Sequence, residues 1–260
     1  MLSNDEGRVG SARSRGARAA HAARRGAGTV GASCLGLLVC LLAACGQQGG
    51  GAGSGAKPTA GAASGRIATN LKPLPGHEAD APKLTRKATV RMQTTAGDVV
   101  IDVFPDAAPH AAARFLDLVT SGFYDETPIS RVVPGFVAQF GVNWREPHKA
   151  WKEKTFDDDP TYYALERGTL AFAKAGANSN STQVFINYAQ NNRLADPRYN
   201  FTVFGEVVSG MDVVDKFVRV GDPSYGLDQD RLWQDGGAYL ESLAEKPTMI
   251  EHAAVVGAER

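Results

Sequence analysis

At 260 residues the chain has room for one domain of ordinary size with tails, or for two small ones. Its 28 Lys and Arg balance 28 Asp and Glu, but six arginines against Asp5 and Glu6 fall in the first 45 residues, leaving 22 basic and 26 acidic side chains in the remainder. A mildly acidic remainder has no electrostatic footprint for nucleic acid, and the confinement of all three cysteines (Cys34, Cys40 and Cys45) to one apolar stretch excludes a disulfide framework, a thiolate metal site and a catalytic cysteine from everything after Cys45.

In chain order, residues 1–30 are rich in Arg, Ala and Gly and nearly free of apolar bulk. The apolar run from Gly31 to Cys45 is shorter than the roughly 20 residues a transmembrane helix needs. A basic region, a short apolar run and small residues before a cleavage point describe a secretory signal. Leu42-Ala43-Ala44-Cys45 resembles the bacterial lipobox, which implies cleavage before Cys45 and attachment of a lipid to its thiol. The resemblance predicts a lipoprotein signal peptide over 1–45 and a chain anchored to a membrane of the cell envelope on its periplasmic side. Gly46 stands where an Asp commonly retains lipoproteins at the inner membrane, which points to the outer membrane in a double-membrane bacterium. Residues 46–84 are dominated by Gly, Ala, Ser and Pro without periodicity and predict a flexible tether.

From residue 85 onward the texture is that of a folded domain, predicted over 85–260. Val90–Gln93 and Val99–Phe104 read as strands joined by a turn at Thr94–Asp98. Pro109 opens a helix whose Phe115, Leu118 and Val119 share one face, with Gly122 as its stop. Short apolar runs follow at Val132–Val133, Phe136–Phe140, Thr169–Ala173, Val184–Ile186 and Phe201–Val207. A second helix fits Met211–Val218 with Ser209 as its N-cap, and a last strand fits Thr248–Val256. Many short strands with few helices predict a mainly β sandwich or closed barrel.

The chemistry-bearing residues first speak by what they do not form. His21, His77, His110, His148 and His252 are scattered, and no metal-binding helix, nucleophile elbow or P-loop is present. Asp157–Asp159 lacks the alternation and central glycine of a calcium loop and reads as a solvated acidic turn. No nucleophile stands beside a base. The chain is therefore a binding protein or a catalyst whose reaction needs no covalent chemistry.

Ser130-Arg-Val-Val-Pro-Gly-Phe-Val-Ala-Gln139 resembles the signature of the cyclophilin family of peptidyl-prolyl cis/trans isomerases. Gly168–Gly176, Asn178–Ile186 and Phe201–Met211 resemble three further segments of that family, in the same order. The four span about residues 88–257. The resemblance implies a closed eight-stranded antiparallel barrel with a helix over each open end and an isomerase acting on proline-containing polypeptides. Together with the signal-like N-terminus this predicts exported chains as clients; no cofactor is expected, because a donor and a pocket suffice, and the chain is expected to be a monomer. It assigns catalytic roles to Arg131 and Gln139, and substrate-binding roles to Phe136, Val137, Ala173, Gln183, Phe185, Leu194 and Phe201.

Physical chemistry is compatible with those roles. The barrier to X-Pro rotation is amide resonance, about 18–20 kcal/mol, and uncatalysed exchange takes about tens to hundreds of seconds. Twisting the bond leaves a lone pair on the prolyl nitrogen. A catalyst needs a donor aimed at that lone pair, an apolar slot for the ring and partners for the flanking amides, all fitted to the twisted form. Arg131 supplies a planar, permanently charged donor; the two phenylalanines and Leu194 supply a slot; the glutamines supply amide partners. Taken singly, each of these side chains reads as plain core, surface ion pair or exposed strand. Their order in four motifs is what sets them apart. Ser130 replaces the family's His, Lys174 its common Asn, Arg193 its common Trp, and Phe201 a position often held by His or Tyr. The last two, Arg193 and Phe201, thin the rim of the slot and bear on peptide preference and inhibitor response, and they keep open a second reading, a non-catalytic module that holds proline-containing segments. Trp144, Trp151 and residues 221–246 belong to none of the motifs.

Overall fold

In Lys87–Thr94 (β1) the side chains of Ala88, Val90, Met92 and Thr94 turn inward, and in Gly97–Val103 (β2) those of Val99, Ile101 and Val103 do the same. The computed structural model of the protein describes residues 67–259; the apolar run, Cys45 and the tether up to residue 66 lie outside them. Six further strands follow: Thr127–Val133 (β3), Val137–Phe140 (β4), Thr169–Phe172 (β5), Val184–Asn187 (β6), Val203–Ser209 (β7) and Met249–Glu259 (β8). They close an antiparallel barrel in the order β1-β2-β7-β5-β6-β4-β3-β8. The interior is solid. Phe115, Phe172 and Phe204 stack with centroids 5.1–5.2 Å apart, and Tyr124 meets Phe140 edge-on at 5.3 Å. Such filling leaves no room for a solute inside a barrel of this size.

Helix Pro109–Thr120 (α1) forms where the apolar spacing predicts it and buries Ala111, Ala112, Phe115, Leu118 and Val119. Its own N-cap, Ala108, has no side-chain acceptor. Asp159, distant in sequence and buried, takes the N–H groups of His110 at 3.1 Å and Ala111 at 2.8 Å instead. The acidic turn 157–159 is thus in part a helix cap.

The second predicted helix is shorter than expected. Met211–Val214 (α2) is a single turn, and Ser209 does not cap it, because Ser209 remains in β7 opposite Val100 while Gly210 makes the turn. Beyond Val214 the chain winds more tightly, with Lys216 N bonded to Val213 O and Phe217 N to Val214 O. This three-residue winding places Val214 and Phe217 one above the other, and both are buried. A third helix, Gln229–Ser242 (α3), occupies the segment outside the motifs and buries Leu232, Trp233, Gly236 and Tyr239 in the main core, so the barrel carries three helices where two were expected. Asp235 breaks its helical geometry, and the next residue, Gly236, lies against the indole of Trp144, where a Cβ would stand 2.2 Å from a ring carbon.

Residues 67–84, expected as the last part of a flexible tether, lie against the outside of the barrel. Pro73 bridges Tyr163, Leu74 N donates to Tyr162 O at 2.8 Å, and buried Glu206 accepts from Thr69 Oγ1 and from Asn70 N. Composition averaged over 46–84 hid the few side chains that matter. Leu71 and Leu84 are buried with Phe104, Tyr163 and Leu165, and each such burial contributes about 1.5–3 kcal/mol.

Candidate active site

The site lies on the outer surface of the barrel, and a β-bulge puts it there. Ile129 pairs with Phe140, both pointing into the core, yet the next pair is Arg131 with Gln139. Two steps on β3 answer one step on β4, so Ser130 is the extra residue. In a strand without the bulge, Arg131 would share the inward side of Ile129, because side chains alternate. With it, Arg131 opposes Gln139 and faces outward. The same row continues across the sheet, from Gln139 to Phe185 on β6 and from Phe185 to Ala171 on β5. Register alone thus lines up a guanidinium, an amide and an aromatic ring on neighbouring strands.

The apolar slot is built around that row. Phe185 meets Phe201 edge-on at 5.6 Å, and both belong with Val137 and Leu194 to a cluster separate from the barrel core. Phe136 and Ala173 pack against the same cluster. Phe136 is presented by a turn in which Pro134 and Gly135 are central and Phe136 N donates to Val133 O at 3.0 Å; Gly135 takes a φ of +72°, which a side chain would strain. Buried Asn191 fixes the end of that turn by donating to Phe136 O at 3.1 Å and to Asn187 Oδ1 at 2.7 Å. The backbone of Ala173 donates to Gln183 O at 2.8 Å.

Polar groups join the slot through one chain of hydrogen bonds. Arg131 Nη1 donates to Gln139 Oε1 at 3.3 Å, and Gln139 Nε2 donates to Gln183 Oε1 at 2.8 Å. The Gln183 amide N–H groups have no acceptor among the described residues. Arg131 lies with its guanidinium carbon 5.5 Å from the ring centroid of Phe136. All nine residues singled out on the barrel by the sequence therefore meet in one place. Cys45 lies outside the described residues.

Arg131 is more enclosed than a groove residue read from sequence would be. It is 5% exposed, and Ser224 O accepts its Nε–H at 2.6 Å. Burial holds the guanidinium below its usual pKa, with neighbouring Tyr225 pulling the other way. The loop responsible, Asp222–Gly226, is a tight closure in which Asp222 and Gly226 exchange backbone hydrogen bonds, and Leu227 N docks on Ser130 O at 2.8 Å. Gly226 has φ +74° and approaches so closely that a Cβ would stand 2.7 Å from the Arg131 Cα. Sequence reasoning missed this loop. Gly221, Pro223 and Gly226 signal a turn, but nothing in their spacing says what the turn covers.

Of the departures from the family pattern, Lys174 is paired beside the slot: its ammonium is 2.6 Å from Asp158 Oδ2, bonds to Asn200 O and lies 5.6 Å from the Phe201 ring centroid. Arg193, exposed, sits over the other residue of the slot it can reach, with its guanidinium carbon 5.5 Å from the Phe136 centroid. Ser130 Oγ donates to Gln139 O at 3.3 Å. Among the described residues no three His, Cys, Asp or Glu side chains gather as a metal site.

Residues 89–232 match the family model described as cyclophilin type peptidyl-prolyl cis-trans isomerase/CLD. A peptidyl-prolyl cis-trans isomerase of Acinetobacter baylyi is 37% identical over 147 residues, 54% of this chain and 77% of that protein. Peptidyl-prolyl cis-trans isomerase B of Escherichia coli is 39% identical over 150 residues, 54% of this chain and 90% of that protein. Among solved structures, a cyclophilin type isomerase of Cryptosporidium parvum superposes with a TM-score of 0.50 at 22% identity, over 66% of this chain and 98% of that one, a likeness of fold.

Proposed function

This chain belongs to the cyclophilin-type peptidyl-prolyl cis-trans isomerases, and on that premise we propose that Arg131 and the outer apolar slot perform the isomerisation on proline-containing polypeptides. The proline ring enters between Phe136, Phe185 and Leu194. The Arg131 guanidinium donates to the prolyl nitrogen as twisting localises its lone pair, and the free N–H groups of Gln183 hold a carbonyl of the flanking chain. The row Arg131–Gln139–Phe185, which runs from the donor on β3 across β4 to the ring on β6, carries this reading. A donor already buried and already fixed by Ser224 O and Gln139 needs little reorganisation when the charge develops. No bond is made or broken, and nothing beyond these side chains enters the step. The test is cis/trans exchange in an Ala-Pro peptide with purified protein. Acceleration over buffer at micromolar concentration supports the reading; none overturns it.

The clients in this reading are exported chains, and the protein meets them from a membrane surface. Cys45 in its lipobox-like setting supports lipid attachment. The Cys45→Ser variant should be soluble or unprocessed; a processed variant that still fractionates with membranes would refute the anchor.

A further inference from the structure

Cationic side chains around the slot fall into two groups. Lys174 is closed on Asp158, with side chains 3% and 12% exposed. Arg198 is closed on Asp196 by two hydrogen bonds of 2.9 Å, which hold the Asp196 carboxyl down at about 2. Arg131 and Arg193, by contrast, meet no carboxylate among the described residues, although residues 46–260 carry more acidic than basic side chains. These two stand on the same aromatic ring, each guanidinium carbon 5.5 Å from the Phe136 centroid. Twisting a prolyl amide calls for one donor, and Arg131 supplies it. A second cation left unneutralised beside an apolar slot costs desolvation unless the ligand brings the counter-charge. Arg193 also borders a cleft of about 810 Å³ that is lined by Leu74 and His77 of the docked segment 67–84 and by Asp158 and Asp196, the carboxylates already closed on Lys174 and Arg198, and the chain flanking a bound proline can run into it.

We infer that Arg193 makes this groove select proline sites with an acidic side chain, Asp or Glu, directly beside the proline; the inference rests on the isomerase reading above. The planar fork of Arg193 suits a carboxylate, while a lysine at the same place would face two uncompensated guanidiniums. Asp196, close in sequence to Arg193, does not serve as its internal partner because Arg198 engages both of its oxygens.

The experiment compares two peptide sets in the exchange assay on the full-length protein. One carries Glu, Gln or Lys before the proline, the other Glu, Gln or Lys after it. In at least one set Glu should exceed Lys by about tenfold in kcat/KM, carried by KM, since an exposed ion pair and the matching repulsion are each worth a few-fold. The ratio should shrink in about 1 M salt, where screening acts within about 3 Å. In Arg193→Gln, which keeps a planar group over Phe136, the ratio should collapse to within about twofold, and Arg193→Lys should restore part of it. Equal rates for Glu and Lys peptides in both sets overturn the inference, as does a preference that survives Arg193→Gln. Absence of exchange with every peptide overturns the isomerase reading instead, and the Kd ranking of the same peptides then decides the charge selection by itself.

Discussion

Arg131 and Gln139 face each other as a register pair across β3 and β4, and Arg131 Nη1 donates to Gln139 Oε1 at 3.3 Å. The bulge at Ser130 creates this relationship, and the chemistry assigned to the groove follows from it.

Replacing Arg131 by Ala should lower kcat/KM by about two to three orders of magnitude, roughly 3–4 kcal/mol, the scale for one preorganised donor. Arg131→Lys should not restore full activity, since a point charge cannot hold Ser224 O, Gln139 and the prolyl nitrogen in one plane. Because the Arg131–Ser224 O hydrogen bond is lost and exposed Ser224 O can turn to water, the Ala variant should also lose about 0.5–1.5 kcal/mol of stability in denaturant unfolding. Near-normal exchange in a folded Ala variant would remove Arg131 from its central role.

Gln139 touches Arg131 and Gln183, and in the proposed mechanism it positions the first for the proline. Gln139→Ala should reduce kcat by about ten- to a hundredfold, the scale for a misplaced catalytic group, with a smaller change in KM. A loss confined to KM would mark Gln139 as a binding group alone.

Leu71 tests whether residues 67–84 are part of the domain. Buried at 6% exposure with Tyr163 and Leu165, it should cost about 2–4 kcal/mol on Leu71→Ala. The measurement is the shift in denaturant midpoint. A segment that behaved as a free tether would give no shift at all.

Gly236→Ala should destabilise by about 1–3 kcal/mol through overpacking, because the added methyl meets the Trp144 indole within a fully packed region. Thermal unfolding reads this directly. A neutral or stabilising effect, as expected of Gly→Ala in an ordinary helix, would show that Trp144 moves freely.

Acid stability should depend on Asp106. Burial pushes its carboxyl up, but hydrogen bonds from Thr85 N, the Arg86 side chain, Thr85 Oγ1 and Arg86 N outweigh this and hold it below 3.8. A lowered folded pKa means stability that is present above the unfolded value and lost as pH falls through the folded one. Asp106→Asn should therefore be less stable than the parent at neutral pH, and the difference should narrow below about pH 4. A gap between the two melting curves that stays constant down to pH 2 would contradict this.

Much of the fold was legible because it is local. Alternation in Val90–Gln93 and Val99–Phe104, and the shared face of Phe115, Leu118 and Val119, predict β1, β2 and α1 close to where they lie. The site residues were legible too, through motif order: Arg131, Phe136, Gln139, Gln183 and Phe185 meet where the four segments converge. What periodicity could not give was direction. An unbroken alternation through Ile129 and Arg131 points both side chains the same way, and the bulge that separates them shows itself in pairing with β4 and in nothing on β3 alone. The tertiary structure also decided which cations have a carboxylate partner. Lys174 and Asp158 lie 16 positions apart in the chain, and whether Lys174 or Arg193 faces the slot unpaired depends on where the loops carrying them are pinned. Glu206 gathers the residues after 66, and Ser224 O closes over Arg131, by contacts across 136 and 93 positions. Composition averages such contacts away, because a few leucines and one carboxylate are enough to dock a segment whose mean hydropathy reads as tether. The sequence by itself determined the strand and helix vocabulary and which side chains are candidates for the site. Their outward aim, their enclosure and their pattern of neutralised and bare charge arise from long-range packing, where hydrogen-bond partners and burial are set by residues remote in the chain.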